Sequence, residues 1–153
     1  MRESESRDDR ADRNFVELLQ GARVAVTGVQ VLFAFLLTVP FSPGFAGADR
    51  RLYFVALVGA AVASACYIAP AAQHRVLFRQ GKKEQLVRRS NRYGIAGALA
   101  LVVAMTSATA LVIDYLFGGV LAWVTAGAVA VLAGWSWFLQ PALDRNRDDD
   151  SEA

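Results

Sequence analysis

The stretch QHRVLFRQGKKEQLVRRSNRY (Gln73–Tyr93) carries seven basic residues against the single acid Glu84, and it is flanked on both sides by sequence without any charge. Its neighbours Leu52–Ala72 and Ile95–Ile113 contain no Asp, Glu, Lys or Arg, and neither do Val24–Phe41 and Val120–Gln140. Each is about as long as the roughly 20 helical residues that cross a bilayer. Of the 16 Lys and Arg residues in the chain, five precede the first apolar stretch, seven lie between the second and third, and two follow the fourth. The first loop holds only Arg50 and Arg51, and the third loop holds none. Basic residues accumulate on the cytoplasmic side of a membrane, so the pattern predicts a multi-pass protein with both termini in the cytoplasm.

The 153 residues leave no room for a separate soluble domain beside four spans. The expected organisation is a charged tail over residues 1–13, one transmembrane domain over 14–141 and an acidic tail over 142–153. Both tails are nearly free of apolar residues and are expected to be disordered. Asn14 suits a helix cap, with Glu17 placed for a capping box, so the first helix is expected from about Phe15 to Thr38. Pro40 and Ser42-Pro43-Gly44 should end it. Pro70 should kink the second helix, and Gln80-Gly81 is the best turn in the basic loop. Lys82–Tyr93 reads as helix, with Glu84 and Arg88 four residues apart, so a basic cytoplasmic helical hairpin is expected between helices 2 and 3. The third helix should end near Asp114, and Gly118-Gly119 should turn into the fourth. Tyr53, Tyr115 and Trp123 fall at one boundary of the spans and Tyr67, Tyr93, Trp135 and Trp137 at the other, as amphipathic rings prefer.

Helices in lipid associate through close packing of small residues, because lipid tails are as apolar as Leu. Ala96, Ala100, Ala104 and Ala108 form one such row, and Ala122, Ala126, Ala130 and Gly134 form another. Gly59 with Ala63, and Ala60 with Ser64, give the second helix two adjacent small faces. These rows predict an all-α, four-helix transmembrane bundle, either self-contained or joined to a second copy along one row.

Polar residues inside the spans are few. Arg23, Thr27, Gln30 and Thr38 fall roughly on one side of the first helix and should face protein or a water-filled cavity. Arg23 either lies at the mouth of such a cavity or snorkels to the headgroups. Gln30 either lines it or bonds across to Thr106, Ser107 or Thr109. Asp114 borders the apolar core at the outer end of the third helix, as an ion site or a solvated boundary residue. His74, Arg75, Arg79, Lys82, Lys83, Arg88, Arg89 and Arg92 are candidates for contact with anionic lipid headgroups or an acidic partner. Nucleic acid is not an expected partner, because the charge sits at the membrane surface. No cofactor or metal is expected, since Cys66 and His74 are the only residues of their kinds. No Ser/His/Asp set, paired carboxylates or phosphate loop can be assembled, so the chain is not expected to be an enzyme.

The segments ELLQGARVAVTGVQVLFAFLLTVPF (Glu17–Phe41) and IAPAAQHRVLFRQGKKEQLVRRSNR (Ile68–Arg92) resemble a family of small four-span actinobacterial integral membrane proteins of unknown function. Some members carry the label sodium:proton antiporter. The resemblance implies a four-span fold in the plasma membrane and carries over no catalytic or binding residue. No Asp or Glu lies at mid-depth in any span, which counts against the antiporter label. The sequence leaves two functional expectations. One is a non-enzymatic subunit, scaffold or regulator that contacts anionic lipid or a partner through the basic hairpin. The other is a small ion or solute transporter, or channel-like homo-oligomer, with a polar path beside helix 1.

Overall fold

Pro40 and Pro43 end the first helix where the sequence predicts, each within the first turn of a short 3₁₀ segment, where its missing N–H costs nothing. The computed structural model describes residues 7–77 and 83–143. In chain order these form α1 (Arg7–Thr38), the 3₁₀ turns Val39–Phe41 and Pro43–Gly47, α2 (Arg50–Leu77), α3 (Lys83–Phe117) and α4 (Gly119–Gly134). A π-helical turn, Trp135–Leu139, follows α4. All four helices are long and apolar enough to cross a membrane, over Arg23–Phe41, Arg50–Gln73, Ser90–Phe117 and Gly119–Leu143. The architecture is all-α.

Two boundaries differ from expectation. α1 starts at Arg7, so Asn14 and Glu17 lie inside the helix instead of capping it, and residues 7–13 of the charged tail are helical. α2 stays helical through Pro70, which is buried, to Leu77. α3 continues past Asp114 to Phe117 and stops at Gly118, whose φ of 80° suits glycine and whose N–H bonds to the Asp114 carbonyl at 3.0 Å. The Gln80-Gly81 turn lies outside the described residues.

Asp49 caps α2, a role the sequence reading did not assign. Its Oδ1 accepts from the N–H of Arg51 at 2.7 Å and of Leu52 at 3.4 Å. Replacing Asp49 with Ala leaves those donors unpaired and should cost about 1 kcal/mol, while Asn should retain most of the cap. Unfolding titrations in mixed detergent measure this, and equal midpoints for Asp49→Ala and wild type would refute the cap.

The interior is made of small residues and the exterior of large ones. Ala56, Ala60, Ala63 and Ala104 are fully buried, and Leu36 and Val29 are the largest side chains with almost no exposure. Val24, Phe35, Phe41, Trp123 and Leu132 all face outward. A water-soluble bundle does the reverse; this distribution suits a lipid surround, where close helix approach rather than burial from water holds the bundle. α2 and α3 form its centre. A Cβ on Gly59 would lie 3.1 Å from the Ala100 carbonyl oxygen and 3.1 Å from the Ala104 nitrogen. Further along the same seam, a Cβ on Gly97 would lie 3.2 Å from that of Cys66. α1 packs along α2, and α4 packs along α3 with Ala122, Ala126 and Ala133 buried. At the end away from the basic loop, the Tyr53 hydroxyl donates to the Leu36 carbonyl at 3.2 Å, and its ring meets Phe45 edge-on at 5.1 Å. α1 is thereby tied to the top of α2.

Candidate functional site

The buried stripe of α1 is Val29, Leu32, Phe33 and Leu36, packed on the α2–α3 core. Arg23, Thr27, Gln30 and Thr38 lie on the other side and are exposed. The expectation that this face turns toward protein within the chain is therefore corrected. The physical reason is that α1 buries its larger apolar side chains against the small-residue surface of α2 and α3, which leaves the polar side outward. Thr27 and Thr38 are nevertheless satisfied. Their hydroxyls donate to their own helix, Thr27 to the Arg23 carbonyl at 3.0 Å and Thr38 to the Phe35 carbonyl at 2.7 Å. Gln30 has no such local bond among the described residues, and it does not reach Thr106, Ser107 or Thr109. The Thr106 hydroxyl is buried with no partner among the described residues.

The basic segment divides between two helices. α2 carries His74 and Arg75, and α3 carries Lys83, Arg88, Arg89 and Arg92, of which Arg92 is exposed. Arg79 and Lys82 lie outside the described residues. Asp114 is half-buried in the last turn of α3, at the opposite end of the bundle. The structure therefore does not bring Asp114 together with the basic residues. Among the described residues, no group of three or more His, Cys, Asp or Glu is placed to hold a metal.

A groove that sequence reasoning missed opens between α1 and α4. Its floor is one stripe of α3, from Ser90 and Asn91 through Gly94, Ala98 and Leu101 to Met105. α1 forms one wall with Ala25, Gly28, Val29 and Leu32. Trp137 and Phe138, on the π-helical turn, form the other. Two adjoining cavities of about 450 and 630 Å³ share Ala25, Tyr67, Ala98 and Trp137, so the groove is continuous. Its polar groups gather at the end nearest the basic segment, where Ser90 is only 3% exposed and Asn91 and Tyr67 line the space. The one sequence signal for it was the stagger of Tyr67, Tyr93, Trp135 and Trp137 at one boundary, of which Tyr67 and Trp137 line the groove.

No curated protein and no solved structure matches the chain. A family model does match, over residues 4–141, which takes in α1, both central helices and α4 with its π-helical turn. The chain belongs to the Family of unknown function (DUF6328).

Proposed function

We propose that this chain is a non-enzymatic integral protein of the plasma membrane, with both termini cytoplasmic. It acts as a subunit, scaffold or regulator that contacts anionic lipid or an acidic partner through the basic segment between α2 and α3. The observation that carries this reading is the placement of charge. Seven of the 16 basic residues fall within Gln73–Tyr93, against one acid, between two helices able to span a membrane. That concentration exceeds what one loop needs to set orientation. It places a field favourable to anionic headgroups at the surface. α2 and α3 extend four and seven residues past the span limits, to Leu77 and from Lys83, which supports a basic helical hairpin at that surface. The test replaces these Lys and Arg residues with Gln and measures enrichment of anionic lipid around the protein, together with the proteins that co-purify in mild detergent. Unchanged enrichment and unchanged partners, with insertion intact, would sink the reading.

One observation favours the second reading, a small ion or solute transporter or channel-like homo-oligomer. The Gln30 amide lies near mid-span on the outer face of α1, where lipid would leave it unpaired. An amide both donates and accepts, so two copies related by a two-fold axis satisfy each other, and any polar path would run between copies. The pair forms two interhelical hydrogen bonds of about 0.6 to 2 kcal/mol each, so Gln30→Leu should weaken self-association by roughly tenfold to several hundredfold. It should also reduce ion flux in proteoliposomes. Unaltered oligomer mass and no flux across candidate ions would remove this reading.

A further inference from the structure

The groove between α1 and α4 has the dimensions of one leaflet. Its α3 floor covers sixteen residues from Ser90 to Met105, about 22 Å along the helix axis. Half of a bilayer, headgroups included, is about 20–22 Å. The groove also begins and ends at the matching depths. Ser90 is the first residue of the third span, and Met105 lies close to the middle of Ser90–Phe117. On the facing wall Leu32 is the midpoint of Arg23–Phe41. The groove thus runs from headgroup level to the bilayer midplane on one side only. Along that path its lining changes from Ser90, Asn91 and Tyr67 to Val29, Leu32, Leu101 and Met105.

We infer that this groove holds one anionic glycerophospholipid of the leaflet on the basic side. An acyl chain lies along the α3 stripe, and the phosphate sits beside Ser90 and Asn91. Two features single out this occupant over bulk lipid. The polar mouth adjoins the segment with seven basic residues, and the exposed Arg92 is one position past Asn91, so charge favours an anionic headgroup there. The π-helical turn interrupts the end of the fourth span, with regular helix resuming at Gln140, and its Trp137 and Phe138 line the groove together with Ser90 and Asn91; such insertions recur at functional sites. The choice of an anionic headgroup rests on the reading of the basic segment proposed above, whereas the acyl-chain site rests on the groove alone.

Glycine makes the test clean. Gly94 lines the groove, and a Cβ built on it meets nothing within 4 Å, so a side chain there starts into open space and not against protein. Gly127 is equally open and lies outside the groove, which makes it the control. The full chain is placed in nanodiscs of equal amounts of phosphatidylcholine and phosphatidylglycerol, released into mild detergent, and weighed by native mass spectrometry. Wild type and Gly127→Phe should each retain one phospholipid per chain, mostly phosphatidylglycerol. Gly94→Phe should retain it about tenfold less, while phosphatidylglycerol enrichment in the surrounding nanodisc lipid persists. Equal retention by Gly94→Phe and wild type, or no retained lipid in any of them, would overturn the groove assignment. A retained lipid that Gly94→Phe expels but that shows no charge preference would overturn the headgroup assignment while leaving the acyl site standing, and the basic-segment reading is judged separately, by the phosphatidylglycerol enrichment of the surrounding nanodisc lipid.

Discussion

Replacing Gly59 with Ile should separate α2 from α3 and cost the bundle about 2–3 kcal/mol, the upper range for overpacking a close contact. The atoms a side chain would meet at Gly59 are mostly backbone: the Ala100 carbonyl oxygen and the Ala104 nitrogen, each 3.1 Å from a Cβ. Backbone in the middle of a spanning helix cannot swing away as a side-chain tip can, so the helices must part. Their separation also undoes the contacts of Ala56, Ala60 and Ala104 in the same core. Gly59→Ala should be much milder, because a shift of a few tenths of an ångström relieves it and alanine gains helix propensity over glycine. Gly127 and Gly28 supply the comparison, since a Cβ at either meets nothing within 4 Å. There, alanine should be neutral or stabilising by up to about 1 kcal/mol. Unfolding in sodium dodecyl sulfate, followed by helical signal, reads these variants together with Gly127→Ile. If Gly59→Ile and Gly127→Ile unfold at the same detergent fraction, close α2–α3 approach is not what holds the bundle. Gly44 makes an instructive contrast, because a Cβ there would clash with the Tyr115 hydroxyl, the movable end of an exposed side chain. Tyr115 can turn aside, so Gly44→Ala should cost far less than its crowding suggests.

The four spans were legible in the sequence because a bilayer imposes a length and forbids unpaired charge, and both constraints can be read along one dimension. The apolar stretch Val24–Phe41 and the observed span Arg23–Phe41 differ by one residue. The small-residue rows were legible in part: Ala104, Ala122 and Ala126 are buried, whereas Ala96, the first residue of its row, is exposed. The facing of α1 was not legible. In water, a polar stripe marks the outside of a helix. In lipid it argues for the inside, and that argument fails for Thr27 and Thr38, whose hydroxyls bond to their own helix. Only Gln30 retains the force of the original reasoning, and the proposed pairing with a second copy is what would answer it. The groove was illegible for a different reason. Tyr67, Ser90 and Trp137 come from three helices, and the space between them exists only because α1 packs along α2, and α4 along α3, with the two outer helices held apart. No pattern along the chain encodes where packing is absent.

Neutralising the basic segment should have the largest effect on lipid recognition. Each Lys or Arg near an anionic surface contributes about 1 kcal/mol, so removing several weakens the preference for anionic lipid by orders of magnitude. A series that replaces Arg88 and Arg89, then adds Lys82 and Lys83, then Arg75, Arg79 and Arg92 should give a stepwise decline in phosphatidylglycerol enrichment. Wild-type enrichment should also fall as salt rises from about 0.05 to 0.5 M, since the Debye length shrinks severalfold and surface charges are screened. The flattened variants should lose that salt dependence. The same residues set orientation, and the series separates the two roles. In the proposed topology, the five basic residues before the apolar stretch Val24–Phe41 and the two after the fourth would still mark the cytoplasmic side when the loop is partly neutralised. A reporter fused to the C-terminus should therefore stay cytoplasmic through the first two steps, while lipid enrichment has already dropped. If instead enrichment stays at the wild-type level until the reporter changes side, the charges do no more than fix topology, and the lipid-contact reading falls.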